Sequence, residues 1–185
     1  MKVLHSEKEF MGRASVVALG MFDGVHIGHQ KLIRTAAAIA EEMDAKCIVC
    51  TFDRHPLSVL KPEYAPQPLL PLDKNIEKFE KLGAEMVLVK AFTKELAAIC
   101  AEDYIEMLVD GLKAKVIVVG ENHTFGRGGR GNAEMVRQLA KKYGYRAKIV
   151  EPVRDKEGTI SSTRIRTLMR EGRIREAEAL MDIQS

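Results

Sequence analysis

The stretch ASVVALGMFDGVHIGHQKLI, residues 14–33, changes period in its middle. It begins as an apolar, β-rich run over residues 14–20. Over residues 29–43 the apolar residues instead recur at helical spacing, with Leu32, Ile33, Ala36, Ile39, Ala40 and Met43 on one face. Between the two lie a glycine-containing turn and two histidines, His26 and His29. A strand that feeds a helix in this way is the repeating unit of a parallel α/β sheet. The junction offers an anion the free N–H groups and the positive dipole end of a helix. Imidazoles at that point can donate to phosphate oxygens, and Gly28 leaves room for a flat base or a phosphate against the backbone. A lone histidine here would more often be structural, but two at this spacing point to function.

The same alternation runs outward along the chain. Apolar runs at 46–52, 85–92, 114–120 and 145–153 are separated by helical patterns at 94–110 and 132–143. Strands apolar on both faces and separated by helices predict a doubly wound α/β fold, a five-stranded parallel sheet covered on both sides. Two stretches break the rhythm, each starting where a strand ends. Residues 53–72 hold five of the six prolines, and residues 120–132 read GENHTFGRGGRGN. In open parallel sheets ligands bind outside the carboxyl ends of the strands, so both are candidate binding loops. Cys47 and Cys50, in KCIVCTF, fall three apart on a strand and point to opposite faces, which predicts core residues rather than a metal or redox pair.

A second cluster, ISSTRIR at 160–166, follows the last strand. Ser161, Ser162 and Thr163 are helix starters, Thr163 and Arg166 share a face, and Ile165, Leu168 and Met169 form the buried one. Five arginines between residues 164 and 175 suggest either an anionic ligand or a solvated helix face.

Bulk properties narrow the function class. At 185 residues, 46% hydrophobic and 30% charged, the chain suits one domain over residues 1–185. A net charge of +3 is too small to force nucleic-acid binding, and one short Arg-Gly loop is poor support for RNA contact, so no nucleic-acid partner is expected. Three cysteines, no signal-like N-terminal segment and no run of the ~18 apolar residues that span a membrane lead us to expect a cytoplasmic protein without membrane contact.

Taken together and in order, GMFDGVHIGHQ, TFDRHP, VGENHTFGRGGRG and SSTRIR resemble the FMN adenylyltransferase (FAD synthetase) domain of the bacterial bifunctional riboflavin kinase/FMN adenylyltransferase family. The H-x-G-H motif by itself would name only the wider nucleotidyltransferase superfamily, with its Rossmann-like fold. The resemblance runs from about residue 14 to about residue 182. It implies that ATP and FMN give FAD and pyrophosphate with Mg²⁺, and that no residue of the chain is a dedicated metal ligand. His26, His29 and Arg166 would be catalytic. Gly20, Phe22, Gly28, Asn122, Ser162, Thr163 and Arg166 would bind ATP, and Asp23, Asp53, His55 and Phe125 the flavin. The sequence departs from the family at Arg54, where proline is usual, and at His123, where an aromatic is common. It also stops about where the family's kinase barrel begins, so a separate riboflavin kinase is expected in the cell unless the sequence is part of a longer gene product. Two other readings stay open: a related nucleotidyltransferase with another phosphorylated acceptor, and a non-catalytic flavin or nucleotide binder.

Overall fold

Alternate residues of each central strand meet different helices, and this sandwiching sets the architecture. In the computed structural model, which describes residues 1–183, the strands are β1 (Lys2–Leu4), β2 (Ser15–Leu19), β3 (Lys46–Phe52), β4 (Met86–Lys90), β5 (Ala114–Gly120), β6 (Thr124–Phe125), β7 (Gly131–Asn132), β8 (Arg146–Val150), β9 (Arg154–Asp155) and β10 (Gly158–Thr159). The helices are α1 (Ile27–Glu42), α2 (Leu57–Leu60), α3 (Leu72–Lys81), α4 (Lys94–Ala98), α5 (Ala101–Leu112), α6 (Ala133–Tyr143), α7 (Ser162–Arg170) and α8 (Ile174–Ala179). The last two of the 185 residues expected as one domain lie outside the described residues.

Val17 and Leu19 of β2 pack with Tyr104, Ile105 and Leu108 of α5 and Val136 of α6. Val16 and Ala18, pointing the other way, pack with Leu32, Ile33 and Ala36 of α1 and Phe79 of α3. Cys47 and Cys50 divide between the same two layers, as their spacing on β3 predicts. Burial lifts the Cys47 thiol to about 12, which leaves it inert as a nucleophile.

The main sheet has six strands in the order β1-β4-β3-β2-β5-β8, all paired in parallel. The expected five are there; the sixth, β1, adds to the β4 edge with Val3 opposite Val87. Three residues, two of them exposed, carry too short a pattern to read as a strand. Strand order reverses between β2 and β5, the topological switch point.

The helical pattern at 94–110 resolves into two helices. Ile99 is extended, its carbonyl accepts from Arg127 N at 2.7 Å, and the Cys100 thiol caps α5 by accepting from Asp103 N. A contact from the glycine-rich loop therefore decides the break. Met43 lies just past α1 and is exposed, as is Ile174, which the apolar spacing of the last helix places with Ala177 and Met181. Those two do bury, with Ile165 and Leu168, in a third small core.

Candidate active site at the switch point

Two cavities open beside the ends of β2 and β5, of about 260 and 460 Å³. They share Leu19, Gly20, Met21, Asn122 and His123 as a common wall. The smaller is completed by Phe22, His26, Gly28 and His29 on one side and by Glu151, Ile160 and Ser161 on the other. The larger is aromatic and apolar, with Phe52, Phe92, Tyr104 and Phe125 beside His55 and the glycines of the 126–129 turn.

The smaller cavity is built on a strained turn. Phe22 (φ 50°), Gly24 (φ 78°) and Val25 (φ 46°) all adopt left-handed backbone, which is costly for a β-branched residue. Surrounding contacts hold it there. The Phe22 ring is wedged edge-on between His29 and Phe79 at 5.2 and 5.6 Å, and buried Gln30 donates to Val25 O at 3.0 Å. Downstream, the His26 imidazole folds back as the N-cap of α1, its Nδ1 accepting from His29 N at 3.3 Å. That bond places the neutral ring's proton on Nε2. The two imidazoles stack 3.6 Å apart, inclined by 20°. A Cβ on Gly28 would lie 3.1 Å from the His26 ring, so the space that glycine leaves is taken by this imidazole rather than standing open.

Burial lowers the His26 pKa to about 4 and that of His29 well below its ordinary value, with His26 adding to the second effect. Both rings are therefore neutral hydrogen-bond donors near pH 7. His29 Nδ1 is buried without a partner.

The other expected residues divide. Gly20, Phe22, Gly28 and Asn122 lie on the wall of the smaller cavity, and His55 and Phe125 on that of the larger. Asp23 and Asp53 line neither. Asp23 accepts from Leu69 N at 2.9 Å and pairs with the Arg166 guanidinium. Asp53 accepts from Phe92 N at 2.8 Å and from Arg54 at 2.9 Å. Both pin loops around the site. Ser162 donates to Asp23 O at 3.0 Å, Thr163 is exposed, and Arg166 also donates to Gln67 O at 2.9 Å. Of SSTRIR it is Ser161, the N-cap of α7, that reaches the smaller cavity. Sequence reading also passed over Met21 and the 150–153 segment; the rule that ligands sit beyond strand ends, applied to β8, points to the latter.

Much of the arginine run is engaged within the chain. Arg164 bonds Asp155 and Glu157, and Arg173 bonds Glu157 and Glu176. Among the described residues no three carboxylate, imidazole or thiol groups converge to hold a metal ion, and no helix is long and apolar enough to cross a membrane.

A parallel sheet with paired cavities at its switch point, one headed by stacked imidazoles at a helix N-terminus, defines an α/β domain of Rossmann type. The sequence model of the FAD synthetase family matches residues 9–164, and the chain belongs to that family. It is 38% identical over 169 residues to the bifunctional riboflavin kinase/FMN adenylyltransferase of Bacillus subtilis, covering 90% of this chain and 53% of the relative. It is 33% identical over 170 residues to an FAD synthetase of Listeria monocytogenes, covering 91% and 69%. A crystal structure described as a macrolide-efflux protein from Streptococcus pneumoniae superposes with a TM-score of 0.85 at 33% identity, over 97% of this chain and 60% of that one. The chain thus spans about half the length of the bifunctional relatives it matches.

Proposed function

We propose that this chain transfers AMP from ATP to FMN, giving FAD and pyrophosphate. The observation that carries the reading is the pair of unlike cavities meeting at one wall. The smaller has phosphate-binding character, with neutral imidazole donors at a helix N-terminus. The larger has flat aromatic walls suited to an isoalloxazine ring.

In this reading FMN lies in the aromatic cavity with its phosphate toward the shared wall. A phosphate monoester has a second pKa of about 6, so the nucleophile arrives largely as a dianion and needs no general base. One of its oxygens bonds to the α-phosphorus of ATP while the bond from that phosphorus to the bridging oxygen breaks, and the electron pair leaves with pyrophosphate. His26 and His29 donate to oxygens on which charge accumulates. Gly20, Phe22, Gly28 and Asn122 shape the nucleotide side, and His55 and Phe125 the flavin side. Ser162, Thr163 and Arg166 serve the β and γ phosphates, for which the triphosphate competes with Asp23 for the guanidinium. Asp23 and Asp53 act on the flavin by fixing the loops that enclose it.

The described residues offer no protein cage for Mg²⁺. A cation that binds chiefly through substrate phosphates would come with the triphosphate, and no step above depends on it.

Incubation with ATP, Mg²⁺ and, separately, FMN, pantetheine phosphate, nicotinate mononucleotide and riboflavin tests the whole reading. Pyrophosphate release and chromatography should show FAD with FMN and no adenylyl transfer to the other acceptors. Turnover of another acceptor in preference to FMN, or flavin and ATP binding without pyrophosphate, would overturn it.

A further inference from the structure

His123 stands on the wall between the cavities, in the turn after β5, and faces both. Its ring lies nearly parallel to Phe125, with centroids 5.7 Å apart and planes inclined by 16°, and Phe125 leans on Tyr104 at 6.0 Å. Packing therefore fixes the imidazole as the last member of a short aromatic stack. As packing alone, a phenyl ring would serve as well. What a phenyl ring lacks is nitrogen, and here neither nitrogen is used within the fold: Nε2 is buried without a partner, and the ring makes no hydrogen bond among the described residues. A buried polar group left in this state costs free energy and calls for an explanation.

The position supplies one. If the flavin ring fills the aromatic cavity and the triphosphate reaches the stacked imidazoles, what crosses the shared wall is the phosphate-bearing end of FMN. Resting on that reading of the reaction, we propose that His123 contacts substrate, donating a ring N–H hydrogen bond to the phosphoryl end of FMN and so selecting phosphorylated over unphosphorylated flavin. Histidine χ2 is a broad torsion, so either nitrogen can be turned to the cavity side. Burial holds the ring neutral, with a pKa of about 4. A neutral donor orients the attacking dianion without pairing a full positive charge to it.

The test separates the two flavins. Binding of FMN and of riboflavin is measured by flavin fluorescence for the native chain and for His123→Phe, which keeps a flat ring against Phe125, alongside KM for FMN and for ATP. A hydrogen bond to a charged group supports a loss of about tenfold or more in FMN affinity, with riboflavin affinity and the KM for ATP unchanged. Equal weakening of both flavins, or unchanged FMN binding, overturns the proposal. Should the phenylalanine variant fail to melt cooperatively, His123→Asn and His123→Leu give the same comparison: the donor-bearing asparagine keeps a preference for FMN and leucine loses it, and equal behaviour of the pair overturns the assignment. FAD formation by the native chain is followed in parallel. Its absence overturns the adenylyl-transfer reading as well, whereas FAD formation with unaltered flavin selection in His123→Phe overturns the role of His123 alone.

Discussion

His29 combines burial, neutrality and an unpartnered ring nitrogen at the head of α1. A donor held in this way is worth most when charge grows beside it, and losing one such donor costs about 100-fold in rate. His29→Ala should therefore lower kcat by about that factor while changing KM for ATP little, as steady-state kinetics will show. Near-native kcat would remove His29 from the mechanism. His26 has two jobs that substitution can separate. As N-cap it satisfies His29 N, and losing a cap costs about 1 kcal/mol. His26→Ala should lose both that stability and activity. His26→Asn, which restores a good capping side chain but no imidazole, should melt like the native chain and remain impaired. Recovery of activity in the asparagine variant would mean that the cap alone matters.

Among the elements, the turn at 126–129 is the one whose shape the site depends on most. Gly126 has φ +70°, and a Cβ there would lie 2.6 Å from Ala101 Cα, at the start of α5. The neighbouring Arg127 N–H holds the Ile99 carbonyl, so the same turn separates α4 from α5. Gly126→Ala adds a left-handed strain and a backbone clash, together roughly 1–3 kcal/mol. Because Gly126 lines the larger cavity only, FMN affinity should fall more than ATP affinity. Calorimetric titration of each ligand checks this, and equal losses would show that the turn does not shape the flavin side. α1 is held at the other end of the sequence: Ile27 N donates to Leu180 O at 2.9 Å, and buried Gln30 donates to Asp182 O at 2.8 Å. The segment after α8 thus ties down the helix that carries both histidines.

Across the whole molecule, the buried histidines couple the fold to pH. His26, His29 and His123 all have pKa values below the ordinary 6.5 because burial disfavours the charged ring. In the unfolded chain they regain ordinary values, so below about pH 6.5 the unfolded state binds more protons. Their contribution is fully present above that pH and is lost progressively as pH falls toward 4. At about pH 5.5 the loss is roughly 1 kcal/mol for each of His26 and His123. Urea midpoints at pH 7.5 and 5.5 should show this drop, and His123→Phe should show a smaller one. A midpoint independent of pH would mean that these rings are not held neutral by the fold.

The strands read from their apolar runs are all there, because a strand buried on both faces has to be apolar almost throughout and a crossover helix has to show one apolar stripe. The opposite faces of Cys47 and Cys50 follow in the same local way from the two-residue period of a strand. The imidazole pair was legible because a short motif places both rings on one helix turn. What tertiary structure decided is the set of partners that distant segments bring. The β1 edge strand exists because β4 offers it a row of hydrogen-bonding groups, not because three residues carry a pattern. Arg166, for which the family resemblance implies a phosphate role, pairs with Asp23 from a turn 143 residues earlier in the chain. His123 lies between two cavities only because β2 and β5 are neighbours at the switch point. Periodicity records how a residue sits on its own element, whereas a site is assembled from the ends of several elements, and the pairing of those ends is settled by packing.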